Sequence, residues 1–271
     1  MAKTDKPVAL VTGASSGIGE DIAGRLLKAG HEVYAGARRV ERMAGIEKAG
    51  GRTFALDVTV DQSMVDAVAM IKERSGRLDV LVNAAGYGQY GALEDVPLDE
   101  ARKQMETNLF GLARLVQLCL PIMRSHRSGR IINISSIGGK FALPLGGWYH
   151  ASKFALEGYS DALRNEVRQF GINVVVIEPG GIASEWESIA ADAAKRVSGL
   201  GPYAGMVEKF SRMQGRKAPP PSVVSDMVMK ALGPRRPAIR YSGGLAARPL
   251  LFLRRHLSDR MFDRLTMLAF R

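Results

Sequence analysis

The chain has 271 residues, 46% of them hydrophobic, and a formal net charge of +11. That length suits one large α/β domain better than two small ones, and no apolar run reaches the roughly 18 residues of a membrane span. A single cysteine, Cys119, excludes an internal disulfide, and with four histidines it shows no metal-ligand spacing, so no metal site is expected. Residues 1–7 carry no hydrophobic stretch, so no secretory leader is expected and a reducing, cytoplasmic setting fits.

Short apolar runs alternate with longer amphipathic stretches. Val8–Val11 reads as a strand, and Ile18–Lys28 as a helix ended by Gly30. Strands follow at Glu32–Ala37 and Thr53–Leu56, then a helix at Gln62–Glu73 and a strand at Val80–Val82. Leu98–Met123 reads as one long helix, Arg130–Ile134 as a strand, Tyr149–Gln169 as a helix and Ile172–Ile177 as a strand. After Pro179-Gly180-Gly181 the rhythm breaks. Residues 182–216, rich in Ala, Ser and Gly, read as a lid over a substrate. The stiff turn Ala218-Pro219-Pro220-Pro221 leads into a helix at Val223–Leu232, and Ala238–Tyr241 reads as a short last strand. Continuous Val/Ile/Leu runs bracketed by helices imply a parallel sheet buried on both faces. The expected fold is α/β: a Rossmann-like, doubly wound parallel sheet of about seven strands with helices on both faces. The whole of residues 1–271 reads as one domain, with a basic extension over 243–271.

Chemistry concentrates in three places. Gly13, Gly17 and Gly19 join the first strand to the first helix, in a turn that also holds Ser15, Ser16 and Ile18. Glycines there let the backbone approach a pyrophosphate, whose charge the helix N-terminus favours. The end of the second strand reads Gly36-Ala37-Arg38-Arg39, where an NAD enzyme of this fold places an acid. Arg38 and Arg39 suit a 2′-phosphate, which points to NADP(H). Asp57-Val58 suits the adenine amino group, and Asn83, Ala84 and Gly86 suit a backbone running beside the cofactor. Tyr149 and Lys153 stand four residues apart on one helix face, where an ammonium stabilises a phenolate and draws its pKa down from about 10. Ser136 lies thirteen residues before Tyr149, just after a strand. Asn108 is locally unfavourable inside its helix, which favours a functional reason for it.

Thr12–Gly19, Asn83–Gly86, Asn108, Ser136, Tyr149, Lys153 and Pro179-Gly180, in this order, resemble the short-chain dehydrogenase/reductase family of the compact single-domain type. The resemblance spans nearly all of residues 7–240. It implies Tyr149 as general acid/base, and Lys153 as the group that lowers its pKa and binds the nicotinamide ribose. It implies Ser136 as a donor to the substrate oxygen and Asn108 as the holder of a relay water. It also implies that the Ile182 backbone and the Ser184 hydroxyl meet the carboxamide, although Ser184 replaces the usual threonine. The activity implied is hydride transfer between NADP(H) and a carbonyl or secondary alcohol. Two alternatives stay open: a non-redox isomerase or dehydratase, and a catalytically silent NADP-sensing protein.

Phe141, Leu143, Leu145, Trp148 and Trp186 favour a small apolar substrate. The related proteins pair through two long helices, which implies a homodimer or homotetramer. From Arg212 to Arg271 thirteen Lys and Arg stand against three Asp and Glu, so the basic excess belongs to the C-terminal part. In the tail Leu257, Met261, Leu265 and Leu268 form a helical stripe, with Arg260, Arg264 and Arg271 off it. The favoured reading packs that stripe on the pocket or on a partner subunit; the other lays it on anionic lipid. The charge comes with no nucleic-acid-binding motif, so no nucleic-acid partner is expected.

Overall fold

The computed structural model describes residues 5–214 and 218–270. Residues 1–4, the last two positions of the expected lid and Arg271 lie outside the described residues. The strands are β1 (Val8–Thr12), β2 (Glu32–Ala37), β3 (Arg52–Ala55), β4 (Val80–Asn83), β5 (Gly129–Ile134), β6 (Ile172–Pro179) and β7 (Arg240–Gly243). The helices are α1 (Gly17–Lys28), α2 (Ala44–Lys48), α3 (Asp61–Ser75), α4 (Leu98–Met105), α5 (Gly111–Ser125), α6 (Gly147–Val167), α7 (Glu185–Ser198), α8 (Ala204–Gln214), α9 (Ser222–Leu232), α10 (Ala247–His256) and α11 (Asp259–Met267).

All seven strands form one sheet in the order β3-β2-β1-β4-β5-β6-β7, and every neighbouring pair is parallel. The chain winds outward from β1 to β3, then returns to β4 on the other side of β1. The crevice that this reversal opens at the strands' C-terminal ends is where such sheets bind ligands.

Side chains alternate along each strand, so the sheet has two buried faces. Leu10, Leu81, Ile131 and Val174 meet α3, α5 and α6, through residues such as Ile71, Leu115 and Leu156. Ala9, Val82, Ile132 and Val175 meet α1 and α9, through Ile22, Leu26, Val224 and Val228. Cys119 is fully buried among the first set, as its apolar neighbours in sequence imply, and burial pushes its thiol pKa up.

The single helix expected over Leu98–Met123 is interrupted. Between α4 and α5 the chain makes a π turn at Glu106–Phe110, with Asn108 in its middle. A π turn admits an extra residue and frees a side chain from the regular ladder. The last strand is shifted two residues from the expected Ala238–Tyr241, and a 3-10 turn at Val40–Met43 with α2 fills a stretch in which no element was expected.

The expected stripe does not pack on the pocket. The tail's inward residues are Phe262, tilted on Phe141 with ring centroids 5.2 Å apart, and Phe270. Of the expected stripe only Leu257 is partly buried; Met261, Leu265 and Leu268 face outward. Phe262 is one step round the helix from the stripe, and its larger ring decides which side turns in.

Part of the chain's positive charge, including Arg235 and Arg236 of the basic C-terminal part, has a local cause. A cleft of about 1360 Å³ at the strands' N-terminal ends is lined by Arg127, Arg130, Arg164, Arg168, Arg235 and Arg236. Arg127 follows α5, Arg164 and Arg168 end or follow α6, and Arg235 and Arg236 follow α9. Arg130 donates to the carbonyls of Ala231 and Pro234 at the end of α9. Cations at helix C-termini complement the partial negative charge there.

Removing a side chain from the sandwiched layer should therefore be felt, and removing an exposed one should not. Leu115→Ala is expected to lower unfolding free energy by about 2–5 kcal/mol. Leu200→Ala, at a fully exposed position, is expected to stay within about 0.5 kcal/mol. Urea midpoints at unchanged slope check both.

Candidate active site

The glycine turn is shaped by close approach. Gly13 has φ +68° and Gly17 φ +55°, conformations that side chains rarely adopt. A Cβ on Gly13 would stand 2.9 Å from the backbone of Ala85, and one on Gly19 would stand 2.3 Å from the Gly13 carbonyl oxygen. The Thr12 hydroxyl oxygen accepts from the backbone N–H of Ala84 and of Ala85, at 3.1 Å each. That pair of bonds ties the loop after β4 beside the turn, a role the sequence reading missed. Ser16 precedes α1 without capping it, and its hydroxyl accepts from Arg39 at 3.4 Å. Ser15 is buried and Ile18 partly buried in the first turn. The N-terminus of α1 thus keeps amide donors for an anion.

Arg38 and Arg39 are exposed at the end of β2, with no acid beside them in sequence. An acid comes from elsewhere. Glu185, the first residue of α7, is held in a fork by Arg42 at 2.5 and 3.1 Å and lies 3.7 Å from Arg39. The Arg42 hydrogen bonds hold its carboxyl below the usual range. The start of the lid is therefore pinned to the arginine end of the crevice. Ser184, just before it, has its Cβ 3.6 Å from where a Cβ on Gly17 would stand, and its hydroxyl donates to the Ile182 carbonyl at 3.4 Å. Gly180 is packed against the Leu245 carbonyl so closely that a Cβ would come within 2.2 Å. Pro179 closes β6, and Ile182 is buried.

Two side chains are turned to structural partners. The Asp57 carboxylate accepts from the Thr59 backbone and hydroxyl at 2.9 and 2.7 Å, and Val58 is buried with its carbonyl against Gly111. The Asn83 amide donates to the Asn133 side chain at 2.9 Å, which in turn reaches Ser160 on α6. Of Asn83–Gly86 it is the backbone that borders the glycine turn.

Tyr149, Lys153, Ser136 and Asn108 converge at the C-terminal ends of β4, β5 and β6. Ser136 accepts from the Gly138 backbone at 3.0 Å and donates to the Pro179 carbonyl at 3.4 Å, and its hydroxyl is near enough to the Tyr149 phenol to oppose the rise of its pKa. The Lys153 ammonium donates to the Ile134 carbonyl at 2.9 Å and lies 5.9 Å from the Tyr149 ring centroid. Asn108 donates to the Tyr87 carbonyl and the Ser152 hydroxyl, at 2.9 and 3.0 Å, and accepts from the Tyr87 N–H at 3.1 Å. It thereby ties the loop after β4 to α6. A Cβ on Gly86 would stand 3.1 Å from the Asn108 side-chain oxygen and 3.9 Å from the Lys153 nitrogen.

Burial governs the protonation of this pair. It lowers the Lys153 pKa to about 8, with Glu157 opposing, and raises Tyr149 to about 12, with the Ser136 bond opposing. In the protein without cofactor, burial outweighs the groups that favour the phenolate, and the Tyr149 phenol stands above its ordinary value. Behind Lys153 lies a charge network that the sequence reading missed. Glu157, one turn on, takes Lys140 at 2.6 Å and Arg240 at 3.0 Å; Glu178 lies 3.5 Å from Lys140 and 3.2 Å from Arg240.

Aromatic rings roof the phenol. Trp186 of the lid is 5.1 Å from Tyr149, and Tyr90 is 5.7 Å from it and stacked on Phe210 of α8 at 4.8 Å. Leu145 and Phe270 join this cluster, while Phe141 and Leu143 pack on the tail instead.

Known proteins share this fold. Residues 7–194 match the family model described as short chain dehydrogenase. The chain belongs to the short-chain dehydrogenase/reductase family. It is 35% identical over 266 residues to the probable short-chain type dehydrogenase/reductase VdlC of Helicobacter pylori, covering 97% of each chain. It is 46% identical over 173 residues to the 3-ketodihydrosphingosine reductase of Bacteroides thetaiotaomicron, covering 64% of this chain and 63% of that one. A crystal structure of a variant actinorhodin polyketide ketoreductase with NADPH superposes with TM-score 0.75 at 33% identity, covering 89% of this chain and 97% of that one. The family makes the protein an oxidoreductase with a nicotinamide-nucleotide fold.

The displaced pKa of Lys153 has a stability consequence. Below about 8 the buried ammonium is charged in the folded state as in the unfolded one, and its desolvation opposes folding in full. Above the ordinary 10.5 it is neutral in both states and that penalty is gone. Relative to Lys153→Met, the wild type is expected to gain stability as pH rises across this window. Urea midpoints of the two proteins from pH 8 to 10.5 measure it, and parallel curves would contradict the assignment.

Proposed function

We propose that the protein is an NADP(H)-dependent oxidoreductase acting on a carbonyl or secondary alcohol of a small apolar substrate, with Tyr149 as general acid/base. One observation carries the reading. A phenol beside Ser136 and one turn from a buried lysine lies under an aromatic roof, near a glycine turn built for close backbone approach.

The chain's groups fit a nicotinamide dinucleotide on their own evidence. Gly13 and Gly19 let the turn fold tightly on itself and on the Ala84–Ala85 backbone, where a Cβ at either would clash, and the turn leads into the amide end of α1. Arg38 and Arg39 stand where a ribose 2′-hydroxyl would call for an acid, which supports a 2′-phosphate; the NADPH in the actinorhodin ketoreductase structure supports the same reading. Arg39, bonded to Ser16, and the amide end of α1 would hold the phosphates. When bound, the cofactor supplies or accepts the hydride. Ser136 and Tyr149 orient the substrate oxygen by hydrogen bonds. Tyr149 gives that oxygen a proton in reduction and takes it in oxidation. Lys153, charged at neutral pH because it titrates near 8, stabilises the tyrosinate. Asn108, bonded to Tyr87 and Ser152, is suited to hold a relay water beside Lys153. Tyr90, Trp186 and Phe210 exclude water and favour apolar carbon around the reacting group. The keto substrate in the name of the Bacteroides relative is consistent with that lining.

A homodimer or homotetramer assembled through α5 and α6 agrees with the exposed rings of Phe110, at the start of α5, and Phe154, on α6. Among the described residues no helix is long and apolar enough to cross a membrane. The single buried thiol suits a reducing, cytoplasmic setting.

Tyr149→Phe is expected to reduce NADPH-driven reduction of apolar ketones by about 100-fold or more, with NADPH affinity changed by less than about three-fold. Arg39→Ala is expected to raise the KM for NADPH about 10–100-fold and leave that for NADH unchanged. Initial rates with both cofactors check the two variants together. Turnover of Tyr149→Phe at the wild-type rate sinks the first assignment, and equal effects on both cofactors sink the second.

A further inference from the structure

The tail presents a two-sided surface that catalysis does not use. Inward, Phe262 and Phe270 are buried, and the Phe270 carbonyl accepts from Lys209 of α8 at 3.2 Å. Outward, Met261, Leu265 and Leu268 are 54%, 37% and 58% exposed. Spaced by four and three residues, they share one face of α11 and the turn that continues it. Phe252 on α10 is 63% exposed. Single exposed apolar residues are ordinary, but several on one helix face require an occupant.

Charge identifies the occupant. Residues 245–270 hold five arginines and two aspartates. Arg248, Arg255, Arg260 and Arg264 are exposed and make no ion pair among the described residues; Arg254 takes Asp259 at 2.6 Å. On a helical projection Arg260 and Arg264 line one edge of the apolar stripe, while Asp259 and Asp263 fall on the opposite side, near Phe270. A stripe edged by free cations, with its acids turned away, complements an anionic apolar boundary. A second copy docking face to face would bring Arg260 and Arg264 against their own kind. The geometry points to an anionic phospholipid surface as the partner of this face, with α11 lying in the plane of the interface and Met261, Leu265 and Leu268 entering the acyl boundary. This surface stands independently of the proposed reaction. The turn that continues this helix walls the aromatic chamber on its inner side, through Phe270.

The test is flotation of the full chain with vesicles of phosphatidylglycerol and phosphatidylcholine, and with phosphatidylcholine alone. The wild type is expected to float with the anionic vesicles, at least about ten-fold less with the neutral ones, and to be released in part by salt. The triple variant Met261→Ser, Leu265→Ser, Leu268→Ser should lose about ten-fold in binding while its Tm and NADPH affinity hold. The substituted side chains are exposed, so the fold is retained. Arg260→Gln with Arg264→Gln should weaken binding and flatten its salt dependence. Failure of the wild type to float with anionic vesicles, equal binding to neutral ones, or undiminished flotation of the triple variant overturns the proposal. So does a halving of the molar mass of the triple variant by light scattering, since the face would then belong to a second copy.

Discussion

An ammonium buried beside a phenol is the constraint on which the site depends. Lys153 is 7% exposed and Tyr149 8% exposed, and water solvates neither charge well. The fold meets that demand with fixed dipoles and charges. The end of β5 offers the Ile134 carbonyl, α6 places Glu157 one turn on, and Lys140 and Arg240 pair with Glu157 in turn. The Asn108 side chain, freed by a π turn, fixes the loop after β4 against α6. Each contact comes from a different element, so the position of Lys153 reports the assembly of most of the sheet.

The crevice has an opposite electrical logic at each end. At the strands' C-terminal ends the N-terminus of α1 and the arginines after β2 favour phosphate. At the N-terminal ends, arginines answer the negative termini of α5, α6 and α9, and Arg130 caps carbonyls directly. The large positive charge of the chain thus divides into helix-end complements, an exposed pair after β2 and an amphipathic tail. Helices α7 and α8 join these regions: Glu185 at the start of α7 meets Arg42, Trp186 meets Tyr149, and α8 meets the tail through Lys209.

The central architecture was legible because it is written in local pattern. Buried parallel strands such as Val8–Thr12 and Ile172–Pro179 are continuous apolar runs, and helix α1 is announced by its glycines and stopped at Gly30. Asn108 was legible as an anomaly, an amide inside a helical pattern, but the π turn that accommodates it was not. The Glu157–Lys140–Arg240 network was invisible because its members lie up to 100 residues apart and meet only through the crossing of β5, α6 and β7. The Glu185–Arg42 fork was hidden for the same reason, at a separation of 143 residues. In the tail the periodicity of Met261, Leu265 and Leu268 was readable, but amphipathicity alone does not say which side turns inward. Phe262, one step round the helix, settled that by its contact with Phe141. The pKa order was also out of reach, since burial depends on the lid, and the aromatic roof pushes the phenol up where spacing alone suggested down.

The most direct measurement is the titration of Tyr149 itself. The tyrosinate absorbance of the wild type, less that of Tyr149→Phe, isolates this phenol with and without NADP⁺ bound, and the same difference in the Lys153→Met background isolates the contribution of the ammonium. The account predicts a pKa near 12 in the free protein, a lower one with NADP⁺ bound, and loss of about one unit or more of that lowering without Lys153. A phenol that NADP⁺ leaves unshifted, or shifts equally in the absence of Lys153, would contradict it.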